Sequence, residues 1–418
     1  MTMTDADMWK LWAQAGSVFT PGAPIDQFTL FAGRTDRVRE VVNAVNQRGQ
    51  HVILFGERGV GKTSLANVLA QLMASAGIQG VKSGTVNCDG TDDFASLWRK
   101  VFREMHAQRR GDIKIGLQHP EADTETFSLD RLLPEKVTPD DVRHLVESLG
   151  KRVVIVIDEL DRIQDTRTTE LLADTIKNLS DHSSDCTLVL VGVADSVDEL
   201  IRQHQSIERA LVQVQMPRMS LSELLEILQK GLAELGVTMA DDVKLEIAEL
   251  SQGLPHFTHL LALHSCQAAI EEKSTHVGET HLTAAIGKAV SKAQQSILSA
   301  YHKATASPRK DNLYAKVLLA CALARTDDLG YFAAADVRDP MSKIAGRRYE
   351  IPAFSQHLND FCETKKGNIL HKTGSTRRFR FRFSNPMLQP YVVMHGRASG
   401  LLPKEYISAD PSTAKETS

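Results

Sequence analysis

Residues 56–64 read GERGVGKTS, and Gly56, Gly61, Lys62 and Thr63 complete the spacing G-x-x-x-x-G-K-[ST]. A loop of this composition suits one kind of chemistry. Gly56, Gly59 and Gly61 let the backbone turn so that successive N–H groups face phosphate oxygens. A helix opening at Lys62 adds the partial positive charge of its N-terminus. Lys62 can reach the β- and γ-phosphates of a nucleotide, and the Thr63 hydroxyl is a ligand for Mg2+. The run Gly56, Glu57, Arg58, Gly59, Val60, Gly61, Lys62, Thr63 and Ser64 is therefore the expected cradle for ATP.

A second constellation lies downstream in KRVVIVIDELDRI, residues 151–163. Five β-branched residues, Val153 to Ile157, lead into Asp158 and Glu159. Acids at the C-terminal end of a buried parallel strand lie in the crevice where ligands of such sheets bind. Asp158 is expected to hold Mg2+, directly or through water. Glu159 is expected to polarise the attacking water as general base.

These residues need elements to position them. HVILF (51–55) has the apolar, β-branched character of a buried parallel strand. SLANVLAQLMASAG follows as a helix, with Leu65, Val68, Leu69, Leu72 and Met73 at helical spacing and Gly77 as its stop. CTLVLVGVADS (186–196) is another apolar strand with polar residues at its end. The expected core is thus α/β, with a parallel sheet.

With these motifs the chain resembles the AAA+ superfamily of P-loop ATPases. It is similar to the initiator-like branch of origin-recognition and replication-initiator proteins, to the neighbouring STAND signalling ATPases, and to ATPase subunits of some transposition systems. The likeness spans roughly residues 18–395. It implies that Gly33-Arg34 opens a helix near the adenine pocket; Arg37, Arg39 and Glu40 read as that helix's solvated face. It implies that a polar residue after the strand 186–194 senses the γ-phosphate. Asp195 occupies that slot, with Ser196 as the other candidate. It implies an arginine reaching a neighbouring subunit's ATP, for which Arg209 fits best and Arg202 and Arg218 are rivals. His256, in GLPHF, falls where relatives sense phosphate; a capping or surface histidine is the other reading.

From Ser220 to about Ala304 the pattern reads as wholly helical, which fits the lid of this superfamily. ASPRKDN (306–312) reads as a hinge. Beyond it come three helices, YAKVLLACALA, YFAAADVRDPMSKI and IPAFSQHLNDFCETKK, and then two strands, GNILHKTG and TRRFRFRFS. Helices followed by a hairpin describe a winged helix. In RRFRFRFS, alternation places Phe379, Phe381 and Phe383 inward and Arg378, Arg380 and Arg382 on an open face. Together with Lys372 and Arg377 at the tip, these are the expected contacts to a DNA backbone. The presumed reading helix, residues 352–363, carries Ser355, Gln356, His357 and Asn359 but no arginine for base readout. A protein partner for this module therefore stays open beside DNA.

Charge points the same way. The net charge is −3, yet residues 309–400 carry 16 Lys and Arg against 8 Asp and Glu, leaving the rest strongly acidic. A basic module on an acidic body suits a polyanion or an internal complement. Five scattered cysteines show no metal spacing and read as idle thiols of a reducing cytosol. The N-terminus lacks a signal-peptide pattern and no apolar run reaches membrane length, so a cytoplasmic protein with no membrane partner is expected. HPEADTETFSLDRLLPEKVTPDD (119–141) reads as an acidic surface loop. The expected organisation is an N-terminal segment 1–30, a P-loop core 31–217, a helical lid 218–305, a C-terminal winged helix 306–400 and a disordered tail 401–418. The expected function is hydrolysis of Mg-ATP that drives self-association and movement on DNA. The alternative is a nucleotide switch that recruits a protein effector.

Overall fold

The computed structural model describes residues 4–25, 28–75, 82–110, 124–194, 196–197, 200, 207–309, 312–375 and 378–402. The tail beyond 402, Asp195, Arg202 and Arg377 lie outside the described residues. The chain divides into two compact units. One comprises 34–56 and 62–216; the other comprises 1–33, 57–61 and 217–418.

In the first unit the strands are β1 (His51–Gly56), β2 (Lys82–Asn87), β3 (His106–Arg110), β4 (Thr124–Ser128), β5 (Val153–Asp158), β6 (Cys186–Val193) and β7 (Leu211–Gln215). Five of them form one sheet in the order β2-β5-β6-β1-β7, and every pairing is parallel. β1 and β5 are buried at all six positions, which is why both read as unbroken apolar runs. Helix Phe94–Glu104 buries Leu97, Trp98, Val101 and Phe102 in the core over the sheet. Its start is fixed by Asp93, which accepts the Ser96 N–H at 2.7 Å, while the Ser96 hydroxyl accepts the Asp93 N–H at 2.9 Å. Residues 124–141 depart from the loop expected over 119–141. β4 pairs antiparallel with β3, a 3-10 turn spans Leu129–Leu132, and a helix begins at Pro139 behind a Thr138 capping box. The acidic composition concealed a hairpin strand and a capped helix start.

The second unit is mostly helical. Helices Leu221–Leu235, Asp241–Leu250, Pro255–Glu271, Glu279–Ser291 and Gln295–Thr305 follow one another, and the first opens on a capping box of Ser220 and Glu223. The region is not wholly helical, because β8 (Thr238–Met239) and β9 (His276–Val277) pair in parallel. An N-terminal helix, Asp5–Val18, packs against this bundle. Phe19, just after it, is fully buried against Gly231, where an added Cβ would run into the ring.

The C-terminal part contains helices Tyr314–Ala322, Ala334–Ala345 and Ser355–Phe361, then a three-stranded sheet in the order β10-β12-β11. Here β10 is Phe332–Ala333, β11 is Leu370–Thr373 and β12 is Arg380–Phe383. This is the winged-helix arrangement. Phe332 was expected to be helical; it instead pairs with Phe381, and the helix starts two residues later. A last helix, Leu388–Ala398, returns to pack on Glu279–Ser291 and Tyr314–Ala322. Among the described residues no helix is long and apolar enough to cross a membrane.

Candidate functional site

The glycine loop leaves the C-terminal end of β1 with Gly56 at φ 143°, Gly59 at 87° and Gly61 at 99°. Gly56 is required on two counts, since an L side chain avoids that φ and a Cβ would strike the Met216 carbonyl oxygen. Lys62 opens the following helix, is 7% exposed, and donates to the Gly56 carbonyl at 2.9 Å. The strand feeding the loop is anchored by His51, whose Nδ1 accepts the Leu188 N–H of β6 at 3.0 Å. Burial holds that imidazole down at about 4, so it stays neutral and remains an acceptor. No motif signalled this residue.

β5 lies two strands from β1 across β6 and delivers Asp158 to the same edge of the sheet. The Asp158 carboxylate is buried and accepts hydrogen bonds from the Thr63 hydroxyl and, at 2.7 Å, from the Glu159 N–H. Burial raises its pKa; the Thr63 and Glu159 hydrogen bonds and the Lys62 charge oppose the rise. A desolvated carboxylate touching a threonine hydroxyl is a donor pair suited to Mg2+, which takes one or two protein oxygens and completes its shell with phosphates and water. Among the described residues there is no cluster of three or more His, Cys, Asp or Glu that would build an all-protein metal cage. The buried thiols of Cys88, Cys186, Cys266 and Cys321 are pushed up by desolvation.

Glu159 adopts left-handed backbone, φ 57° and ψ 37°, an uncommon conformation for glutamate and one found at working sites. Its carboxylate is exposed and paired with Arg162 at 2.8 Å. Asp161 accepts the Val193 N–H at 2.7 Å, tying the turn after β5 to the end of β6. Ser196 is half-buried just beyond that end.

The softer candidates scatter. Arg209 is exposed, and its carbonyl accepts from Gln50 at 2.9 Å. Arg218 is committed within the chain: its guanidinium meets the Glu57 carboxylate through Nε at 2.6 Å and NH2 at 2.9 Å, which removes it as an arginine for a neighbour's site. Arg34 is buried in left-handed backbone, and the Gly33 N–H donates to Glu226 at 3.0 Å. Nδ1 of His256 donates to the Pro21 carbonyl at 2.6 Å, and burial lowers its pKa. In its segment, Leu254 and Pro255 approach loop residues Gly59 and Gly61.

On the wing, Phe381 and Phe383 are buried as alternation requires. Arg380 is exposed and Arg382 half-buried, and both have partners within the chain. Arg380 pairs with Asp327 at 2.9 Å, and Arg382 lies over the Tyr331 ring at 4.6 Å and donates to Leu329 O at 3.4 Å. Lys372 donates to Asn359 at 3.0 Å and lies over the Phe379 ring. Arg378 is exposed.

Comparison with known proteins agrees with this geometry. Residues 45–201 match the family model described as AAA domain. The chain therefore carries an AAA domain in its first unit. The Aeropyrum pernix ORC2 protein, solved as ADPNP–ADP complexes, superposes with a TM-score of 0.50 at 16% identity, covering 95% of this chain and 98% of that one. The Aeropyrum pernix ORC1 protein in complex with DNA gives 0.46 at 16% identity, with 96% and 97% covered. Cdc6p from Pyrobaculum aerophilum gives 0.46 at 13%, with 94% and 98% covered. No curated protein matches in sequence. At such identities the AAA+ likeness speaks for the fold, and the site must be argued from its own residues.

Proposed function

We propose that this AAA+ protein binds Mg-ATP in the loop 56–64 and hydrolyses it, coupling the cycle to self-association and to movement on DNA. The observation that carries this reading is the meeting of the Thr63 hydroxyl with the buried Asp158 carboxylate, beside Lys62. In that arrangement Thr63 and Asp158 would hold Mg2+, whose charge would offset that of the β- and γ-phosphates. Lys62 turns from the Gly56 carbonyl to the phosphates. Glu159 takes the proton of the attacking water once it leaves Arg162. Arg209, exposed and two residues before β7, is the group offered to a neighbouring copy. Asp195 or Ser196 and His256 are the proposed nucleotide sensors, and Lys372, Arg377 and Arg378 the proposed DNA contacts. The nucleotide in ORC2 and the DNA bound to ORC1 belong to those proteins; both ligand classes are proposals for this chain.

A second reading has its own support. Two wing arginines, Arg380 and Arg382, are engaged inside the chain, and Glu159 is held by Arg162. Both features suit a switch that keeps nucleotide and recruits a protein. The deciding experiment is steady-state ATP hydrolysis by wild type and Glu159→Gln, with and without duplex DNA. DNA-stimulated turnover that the Gln variant loses supports the first reading. Turnover indifferent to DNA refutes the DNA coupling. Bound ATP with no turnover in either protein refutes the hydrolytic cycle and leaves the switch.

A further inference from the structure

Glu57, the second residue of the phosphate loop, does not face solvent; its side chain is 7% exposed. Both of its oxygens are taken by the Arg218 fork. The same guanidinium donates from NH1 to the Gln252 carbonyl at 3.1 Å and to the Gln389 side-chain oxygen at 2.7 Å. Gln389, in the last helix and 3% exposed, donates from its amide nitrogen to the Ala322 carbonyl at 2.8 Å and to Gln252 Oε1 at 3.3 Å. One arginine therefore joins the phosphate loop, the lid turn at 252–253 and the winged-helix module. Steric contacts repeat the junction. Met387 Sδ lies 3.3 Å from where a Cβ on Gly59 would sit, and Glu57 Oε1 lies 3.2 Å from the corresponding point on Gly330.

Resting on the reading that this loop takes nucleotide, we propose that Arg218 is a positioning residue that couples occupancy of the phosphate loop to the docking of the C-terminal module, through Gln389. A bidentate pair that is this buried resists opening, because either partner alone would be an uncompensated charge. Gln389 and Gln252 hold the other side of the guanidinium and so help to fix Glu57. A loop held in one conformation pays less ordering entropy when phosphate binds. Linkage makes the effect reciprocal: if the docked module tightens nucleotide binding, nucleotide tightens the module by the same factor.

The test uses the full chain, with ATP affinity from titration calorimetry and amide exchange across 388–398 with and without ATP. In wild type, ATP is expected to slow exchange in this helix at least fivefold. Gln389→Leu keeps the helix's bulk but removes the acceptor for Arg218. It is expected to weaken ATP binding about fivefold to tenfold, and exchange in the helix should no longer respond to ATP. Arg218→Met should do the same more strongly; should it fail to fold, the Gln389 variant decides. A purely structural role for Gln389 would change exchange equally with and without ATP. The proposal is overturned if wild-type exchange ignores bound ATP, or if Gln389→Leu binds ATP within twofold of wild type. Absence of ATP binding by wild type would instead refute the nucleotide reading, and the coupling with it.

Discussion

Glu249 gives the lid a pH response that can be worked through. It sits near the end of helix Asp241–Leu250, just before the Gln252–Gly253 turn that Arg218 grips. Its Oε2 is buried without a hydrogen-bond partner. One turn earlier, Glu246 is paired with Arg397 at 2.7 Å and adds a like charge. Burial first, then Glu246, raises the Glu249 pKa from 4.5 to about 7. The folded state therefore binds a proton that the unfolded chain releases. Its stabilising contribution is complete below about pH 4.5, fades as pH rises, and is gone once pH passes about 7. The shift corresponds to about 3 kcal/mol at most. Because the carboxyl is only partly buried, screening by solvent reduces that to about 1–2 kcal/mol. Glu249→Gln removes the titration and keeps the shape. Urea unfolding of both proteins at pH 5 and pH 8 should show the variant gaining on wild type by about 1–2 kcal/mol between the two conditions. An equal difference at both pH values would refute the assignment.

Asp158→Asn should melt no lower than wild type without ligand, since it removes a desolvated charge while its amide oxygen still accepts the Glu159 N–H and its NH2 can donate to the Thr63 hydroxyl. Mg-ATP at a hundredfold excess over its Kd is expected to stabilise wild type by about 2.7 kcal/mol in all, and the variant should lose the part of this that depends on Mg2+; thermal shift with ATP, with and without Mg2+, checks both. Phe19→Ala empties a fully buried site against Gly231 and His259 and should cost about 3–5 kcal/mol in denaturant unfolding; a loss below about 1 kcal/mol would mean that the N-terminal helix does not contribute to the bundle.

The parts of the site that were legible in sequence are those where backbone geometry dictates residue type. Gly56 has no substitute at φ 143° against the Met216 carbonyl. A strand buried on both faces must be an apolar run, so Val153–Ile157 announced itself and placed Asp158 at its end. The wing was legible for the same reason, because period two sends Phe381 and Phe383 inward whatever their partners are. Partners were not legible. Alternation sets the face of Arg380 and Arg382, but their engagement by Asp327, Tyr331 and the Leu329 carbonyl depends on a turn fifty residues away. Arg218 and Glu57 are separated by 161 residues; in sequence Arg218 reads as a rival trans arginine and Glu57 as one position of the ATP cradle, and nothing there pairs them. Their pairing deserves more weight than a surface ion pair because it is buried, bidentate and shared with Gln389. A sequence motif fixes the catalytic loop's own shape. What surrounds that shape is set by long-range contacts, and at Arg218 one guanidinium reaches both Glu57 of the loop and Gln389 of the last helix.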